Sequence, residues 1–174
     1  MLIAEPIVAG AQALVAVKAF LRIDGAGEDS VLSALIATAI ARCEGYTCTT
    51  LIERGFTETV EGTAWWRALA AAPVVAITSV TDGAGVALAS TSHEVDIDAD
   101  GRARLRLSGA SSRVVRVAYR AGLASGWDTI PEPLRHGIVR MVAHLHTLRD
   151  QADALGPPAT ALAMWQGARR MRLS

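Results

Sequence analysis

Near the C-terminal end of the chain, Leu134, Ile138, Met141, Leu145 and Leu148 recur at intervals of four, three, four and three residues. That spacing lays one apolar stripe along about five turns of helix. Pro131 and Pro133 suit the opening turn, where a missing N–H costs nothing and φ is already set. Thr129 is placed to cap it. The spacing therefore predicts a helix over residues 130–150. A stripe of this length needs a partner surface. Val31, Leu32, Leu35, Ile36, Ala39 and Ile40 supply the same period far upstream.

The upstream helix is expected to start behind Glu28 and Asp29, where the macrodipole favours anions, and to run to about Thr47. It ends in the β-branched cluster Thr47, Thr49 and Thr50. Before it, residues 10–22 suit a first helix with Leu14, Val17 and Leu21 inward, and with Ala13 and Phe20 as further candidates. Gly25 and Gly27 then offer the αL positions that a helix stop uses. From Arg54 the period shortens. Phe56, Thr57 and Val60 suggest a short strand, and Trp65 and Trp66 follow it. Pro73-Val74-Val75-Ala76-Ile77-Thr78-Ser79-Val80 reads as near-continuous β structure, closed by a turn at Asp82-Gly83-Ala84-Gly85.

The sharpest local inference concerns residues 93–107. Val95 and Ile97 alternate with Glu94, Asp96 and Asp98, while Ala103, Leu105 and Leu107 alternate with Arg102, Arg104 and Arg106. A hairpin with the three-residue loop Ala99-Asp100-Gly101 sets Asp98 opposite Arg102, Asp96 opposite Arg104 and Glu94 opposite Arg106. A two-residue loop would set Asp96 opposite Leu105. Opposite-charge cross-strand pairs are worth about 0.2–1 kcal/mol each, so charge selects the three-residue register, with Gly101 at the αL position. The sheet is expected to continue through residues 113–120, where Val115, Val117 and Tyr119 share a face. Gly126-Trp127-Asp128 then leads into the long helix, and Gly156-Pro157-Pro158 breaks the chain after it.

These elements give an α+β expectation. A small helical bundle would come from residues 1–52 and 128–153, with an inserted antiparallel β subdomain at 53–127 and a C-terminal arm at 154–174.

Composition agrees with a globular chain: 51% of the 174 residues are apolar and 20% charged, at net charge zero. The charge is uneven along the sequence. Residues 1–62 carry four Lys/Arg against eight Asp/Glu, residues 63–128 seven against six, and residues 129–174 six against three. Such a gradient suits copies meeting head to tail, or different partners at the two ends, or is chance scatter of surface charge. Sixteen of the seventeen basic residues are Arg and only Lys18 is Lys, which points first to a GC-rich bacterial or phage genome. Glu5 and Pro6 stand where a signal peptide would have cations and then an apolar run. No apolar stretch approaches the roughly 18 residues that span a bilayer. A protein made in the bacterial cytoplasm, with no membrane partner, is expected.

Candidate chemistry is sparse. Asp96-Ile97-Asp98-Ala99-Asp100-Gly101 begins like a calcium loop, but Leu107 stands where the bidentate carboxylate belongs. His136, Arg140 and His144 share a helix face without metal-ligand spacing, and His146 points elsewhere. Cys43 and Cys48 fit neither a zinc site nor a disulfide framework and read as buried apolar thiols. There is no P-loop, dinucleotide fingerprint or nucleophile elbow. No enzyme, metal site or cofactor is expected. Two features go beyond packing. Trp65 and Trp66 stand at the entrance to the sheet, where core packing accounts for them unless they meet a partner. The tail, with Trp165, Arg169, Arg170, Arg172 and Leu173, is amphipathic and basic. It is either a frayed end or an arm that orders on a partner. A DNA-binding accessory role through that arginine tail is a second reading, opposed by the neutral net charge and the matched strand arginines.

In order along the chain, four blocks carry a family likeness. The first is Val17-Lys18-Ala19-Phe20-Leu21-Arg22-Ile23-Asp24, with Glu28-Asp29, Leu32 and Ala41-Arg42-Cys43-Glu44-Gly45-Tyr46-Thr47. The second is the Pro73–Val80 run with Asp82-Gly83. The third is Val115-Arg116-Val117-Ala118-Tyr119-Arg120-Ala121-Gly122, then Ile130-Pro131 and Leu134-Arg135. The fourth is Val142-Ala143-His144-Leu145, Arg149 and Arg169-Arg170-Met171-Arg172-Leu173. Together they resemble the head–tail connector (adaptor) proteins of long-tailed phages and of phage-derived gene transfer agents. The resemblance implies a structural, non-enzymatic protein in the particle neck. It would form a ring, typically of twelve copies, between the portal protein and a tail-side stopper or tail-terminator protein, with DNA passing through as cargo. It also implies that the C-terminal arm, residues Trp165, Arg169, Arg170, Arg172 and Leu173, engages the portal and is loose in the free protein.

Overall fold

Helical and extended periodicities sort the chain into two units, each with its own apolar core. The computed structural model describes residues 1–108, 113–148 and 156–169. One unit comprises Met1–Pro6 and Glu53–Leu123, and the other Ile7–Ile52 and Ala124–Ser174. The first six residues, expected in the helical frame, lie instead in the sheet unit. The cause is a strand the periodicity did not reveal. β1 (Leu2–Ala4) pairs antiparallel with β2 (Arg54–Gly62). Beyond it, Gly55 N–H donates to Glu5 Oε2 at 2.7 Å, while the Glu5 N–H donates to the Gly55 carbonyl at 2.9 Å. Residues 124–127, expected in the insert, belong to the helical unit.

In the helical unit, α1 (Gly10–Leu21) buries Ala13 and Val17, and α2 (Asp29–Thr47) buries Leu32, Ile36, Ala39, Ile40 and Cys43. Phe20, a candidate for the core, is 45% exposed. The stop after α1 falls earlier than the glycines suggested: Arg22 itself takes the left-handed conformation at φ 57°. Asp29 begins α2 as expected. The lone lysine then ties the connection together, since Lys18 Nζ donates to the Gly25 carbonyl and pairs with Asp29 Oδ1 at 2.7 Å.

The long helix is α3 (Glu132–Thr147), with Pro131 at its N-cap position and Leu148 at its C-cap. Thr129 does not cap it. That residue closes a 3-10 turn (Trp127–Thr129), where its hydroxyl bonds the Gly126 carbonyl at 3.0 Å. Leu134, Ile138 and Met141 of the stripe are buried against α1 and α2. Positions 149 and 150 of the predicted helix lie outside the described residues. A fourth helix, α4 (Ala159–Trp165), packs on α3.

The sheet unit holds two antiparallel sheets over one shared core. The first has the order β1-β2-β7-β4, with β4 at Val74–Asp82 and β7 at Arg113–Ala121. The second has the order β3-β6-β5, with β3 at Arg67–Ala68, β5 at His93–Ile97 and β6 at Ala103–Leu107. β7 therefore does not extend the hairpin sheet. It lies centrally in the other one, burying Val115, Val117 and Tyr119 as the alternation predicted. The near-continuous run of β4 is an edge strand with two register shifts, and Val75 is 55% exposed. Beyond β7, β4 is bonded only near its two ends, to Gly101 at Val74 and to residues 86–88 at Val80–Asp82. Val74 and Val80 are buried, and Ile77 packs partly buried against the core.

The hairpin has the charge-selected register. Asp96 faces Arg104 and Glu94 faces Arg106, with side-chain contacts of 2.6 and 2.7 Å. Asp98 also stands opposite Arg102, its N–H donating to the Arg102 carbonyl at 3.1 Å. Its Oδ1 accepts the backbone N–H groups of Asp100 and Arg102 at 3.0 and 2.8 Å, so the carboxylate builds the loop. Gly101 is needed twice over. Its φ is +74°, and a Cβ there would sit 2.5 Å from that of Pro73. The Gly101 carbonyl accepts the Val74 N–H at 2.7 Å, which docks the hairpin on the start of β4.

Because the ladder is set by charge, Asp96→Arg is expected to cost about 0.5–1 kcal/mol by facing Arg104 with a like charge. Exchanging the two residues should be nearly neutral. Thermal melts of the single and the exchanged variants check this.

Candidate interaction surfaces

Trp165 is not free. It is fully buried in the helical core, at the end of α4, with its ring centroid 6.1 Å from that of Tyr46. Its seat is a missing side chain. At Gly137, in the middle of α3, a Cβ would collide with the indole Nε1 and lie 2.8 Å from Cδ1. A helix-interior glycine costs about 1 kcal/mol against alanine, and here it opens the space that a large ring fills. The indole N–H has no hydrogen-bond partner among the described residues, so close packing holds the ring against the cost of that unpaired group. Arg169 is exposed, its guanidinium carbon 5.4 Å from the centre of the Tyr46 ring. Arg170, Arg172 and Leu173 lie outside the described residues. The break at Gly156-Pro157-Pro158 therefore does not detach residues 159–165, which pack on α3.

Trp65 and Trp66 are corrected in the opposite direction. Trp65 is 81% exposed and Trp66 38%. The chain bends at residues 64 and 65, just before β3 begins at Arg67. The flat ring of Trp66 lies beneath the arginine ladder, 4.7 Å from the Arg106 guanidinium carbon and 5.9 Å from that of Arg104. Behind the same segment, buried Glu58 takes a hydrogen bond from the Tyr119 hydroxyl and another from Ala70 N–H, both at 2.9 Å. Tyr119 in turn accepts Ala71 N–H at 3.2 Å. Burial pushes the phenol pKa up, the Ala71 N–H works against that, and Glu58 adds to the rise. The network pins the chain between β3 and β4.

The other candidates for chemistry resolve into structure. His146 Nε2 lies 2.8 Å from Glu28 Oε2, joining the end of α3 to the start of α2, so it is neither solvated nor a ligand. Cys43 is buried, and that burial pushes its thiol well up. Cys48 is only half-buried, because it is the left-handed C-cap residue of α2 at φ 54°. Among the described residues no group of three or more His, Cys, Asp and Glu could hold a metal ion. No helix among them is long and apolar enough to cross a membrane. The charge gradient along the sequence also dissolves on folding. The sheet unit holds eight Arg against nine Asp/Glu, and the helical unit nine Lys/Arg against eight.

No protein-family model and no curated protein matches the chain. Solved structures do. One match is to the neck of an empty gene transfer agent (GTA) particle computed with C6 symmetry, with a TM-score of 0.78 at 25% identity, covering 100% of this chain and 97% of that one. The chain is similar to GTA particle proteins over its whole length. The virion of a native GTA particle gives a TM-score of 0.75 at 26% identity, and the neck of a native GTA particle computed with C12 symmetry gives 0.70 at 26%, both with the same coverage. The likeness to GTA proteins takes in the sheet unit and the helical unit alike.

The seat of Trp165 makes α4 part of the fold. Trp165→Ala should cost about 3–5 kcal/mol, and deleting residues 159–174 should lower the melting temperature markedly rather than leave it unchanged. Gly137→Ala should also destabilise, against its helix propensity. Thermal or urea unfolding of the three variants measures this, and native-like stability in all three would remove Trp165 from the core.

Proposed function

We propose that the chain is a structural component of the neck of a phage-like particle, acting as the adaptor between head and tail. The observation that carries this is the end-to-end likeness to chains of GTA necks at 25–26% identity, in which almost all of each chain is matched. Its role is structural, not enzymatic. Copies form a ring, and twelve copies satisfy both sixfold and twelvefold symmetry. The ring sits at the neck between a portal protein and a tail-side stopper or terminator, with DNA passing through as cargo. The particle is a gene transfer agent or a phage.

In this reading the portal-docking segment is shorter than the sequence suggested. Trp165 anchors the tail in the helical unit. Arg169, Arg170, Arg172 and Leu173 follow it as the part that reaches the portal, since arginine meets carboxylates in a bidentate geometry that lysine cannot reproduce. The DNA-binding alternative gains no support from the strand arginines, because Arg104 and Arg106 are paired with Asp96 and Glu94.

Loss of the gene in the producing cell should leave DNA-filled heads without attached tails, seen by electron microscopy of a lysate. Tailed particles in normal yield would contradict the adaptor role.

A further inference from the structure

The outward side of α1 carries no charge. Lys18 is the only ionisable residue of the helix, and its ammonium is turned into the α1–α2 connection. Ala11, Val15 and Ala19 repeat at four-residue intervals on the exposed side, with Val8 just before the helix. Val8 is 73% exposed and Val15 61%. With Gln12 as the one polar side chain on that exposed side, the helix is suited to being covered on its outer as well as its inner side. Hollows flank this ridge. One, of about 300 Å³, is lined by Ile7, Val8, Leu14 and Ile36, with Ser33 as its one polar side chain. The other, of about 640 Å³, is lined by Arg22 and Asp24 together with the Lys18–Asp29 pair, so its charges balance.

The sheet unit offers a complement. Apart from Met1, Trp65 is its most exposed large apolar side chain, and its backbone is held. Thr63 Oγ1 donates to the Trp65 carbonyl at 3.2 Å and lies 3.3 Å from the Trp65 N–H, which donates to it. On the other side Trp66 is braced by Arg106, itself paired with Glu94. Close by, Arg67 is half-exposed and only loosely paired, 4.0 Å from Glu61. An apolar cavity of about 150 Å³ admits benzene, so the smaller hollow has room for a bicyclic indole.

We propose that Trp65 of one copy inserts into the apolar hollow beside α1 of the next, so that the chain closes head to tail into a ring. The choice of a second copy as occupant rests on the neck reading. A ring needs two different, mutually complementary patches on each chain, which is what a heterologous contact supplies. Trp65 and the α1 hollow are such a pair, and a buried tryptophan is the kind of anchor on which interface energy concentrates.

The test uses the full chain and two variants at exposed positions, Trp65→Ala and Val8→Glu. Sedimentation velocity at rising concentration should show the unaltered chain growing beyond dimers. Each variant alone should associate about thirtyfold more weakly or worse, with unchanged thermal melts. Mixed in equal amounts, the two variants should recover a single contact, Trp65 of the Val8→Glu copy in the intact hollow of the other, and stop at a heterodimer. Association of either variant at the level of the unaltered chain overturns the contact. So does a mixture that forms no heterodimer, or an unaltered chain that stays monomeric throughout. None of these results touches the neck reading, which loss of the gene decides separately.

Discussion

In the helical unit the decisive contact is one in which a side chain is missing. Gly137 leaves a notch in α3, and the indole of Trp165 occupies it so closely that any Cβ would overlap the ring. With that contact in place α3 is covered on two sides. Leu134, Ile138 and Met141 meet α1 and α2, and the notch side meets α4. Tyr46, near the end of α2, lies beside the indole and under Arg169. The same ring therefore joins α2, α3 and α4.

The sheet unit follows a different logic, in which charge and a buried polar network do what shape does in the helices. The Glu94/Arg106 and Asp96/Arg104 pairs fix which residues of β5 and β6 oppose one another. Exposed ion pairs are individually weak, but a shift of one residue would turn the apolar set outward. Leu105 and Leu107 are buried by that register. Glu58, Tyr119 and the Ala70 and Ala71 N–H groups tie the link between β3 and β4 to the main sheet. The arginines of the ladder also cover Trp66, while Trp65 stands outside.

The α+β architecture was legible because its signals are local. The stripe of α3, the matching stripe of α2 and the alternating acids and arginines of the hairpin all declare themselves within a few residues. The failures have one physical origin, since each depends on a partner distant in sequence. Leu2–Ala4 is too short to show a period and is a strand only because β2 is beside it. The run from Val74 to Val80 read as near-continuous β structure, and its two register shifts against β7 follow from a pairing distant in sequence. Trp165 looked like part of a loose arm because its seat is a glycine, and a glycine adds nothing to an apolar pattern. Trp65 was expected to pack unless it met a partner; the bend at residues 64 and 65 that leaves it outside has no signature in the apolar pattern.

The correspondence with GTA necks joins these observations into one account. A chain with two small units, near-neutral charge in each and an apolar helix face is suited to assembly among copies of itself and with other particle proteins. The most direct test is a cryo-electron microscopy map of particles purified from the producing cells. The account predicts that neck density averaged with sixfold or twelvefold symmetry can be traced with this chain, from the sheet unit through the buried Trp165 of the helical unit. A neck fully accounted for by other chains, with no density for this one, would contradict it.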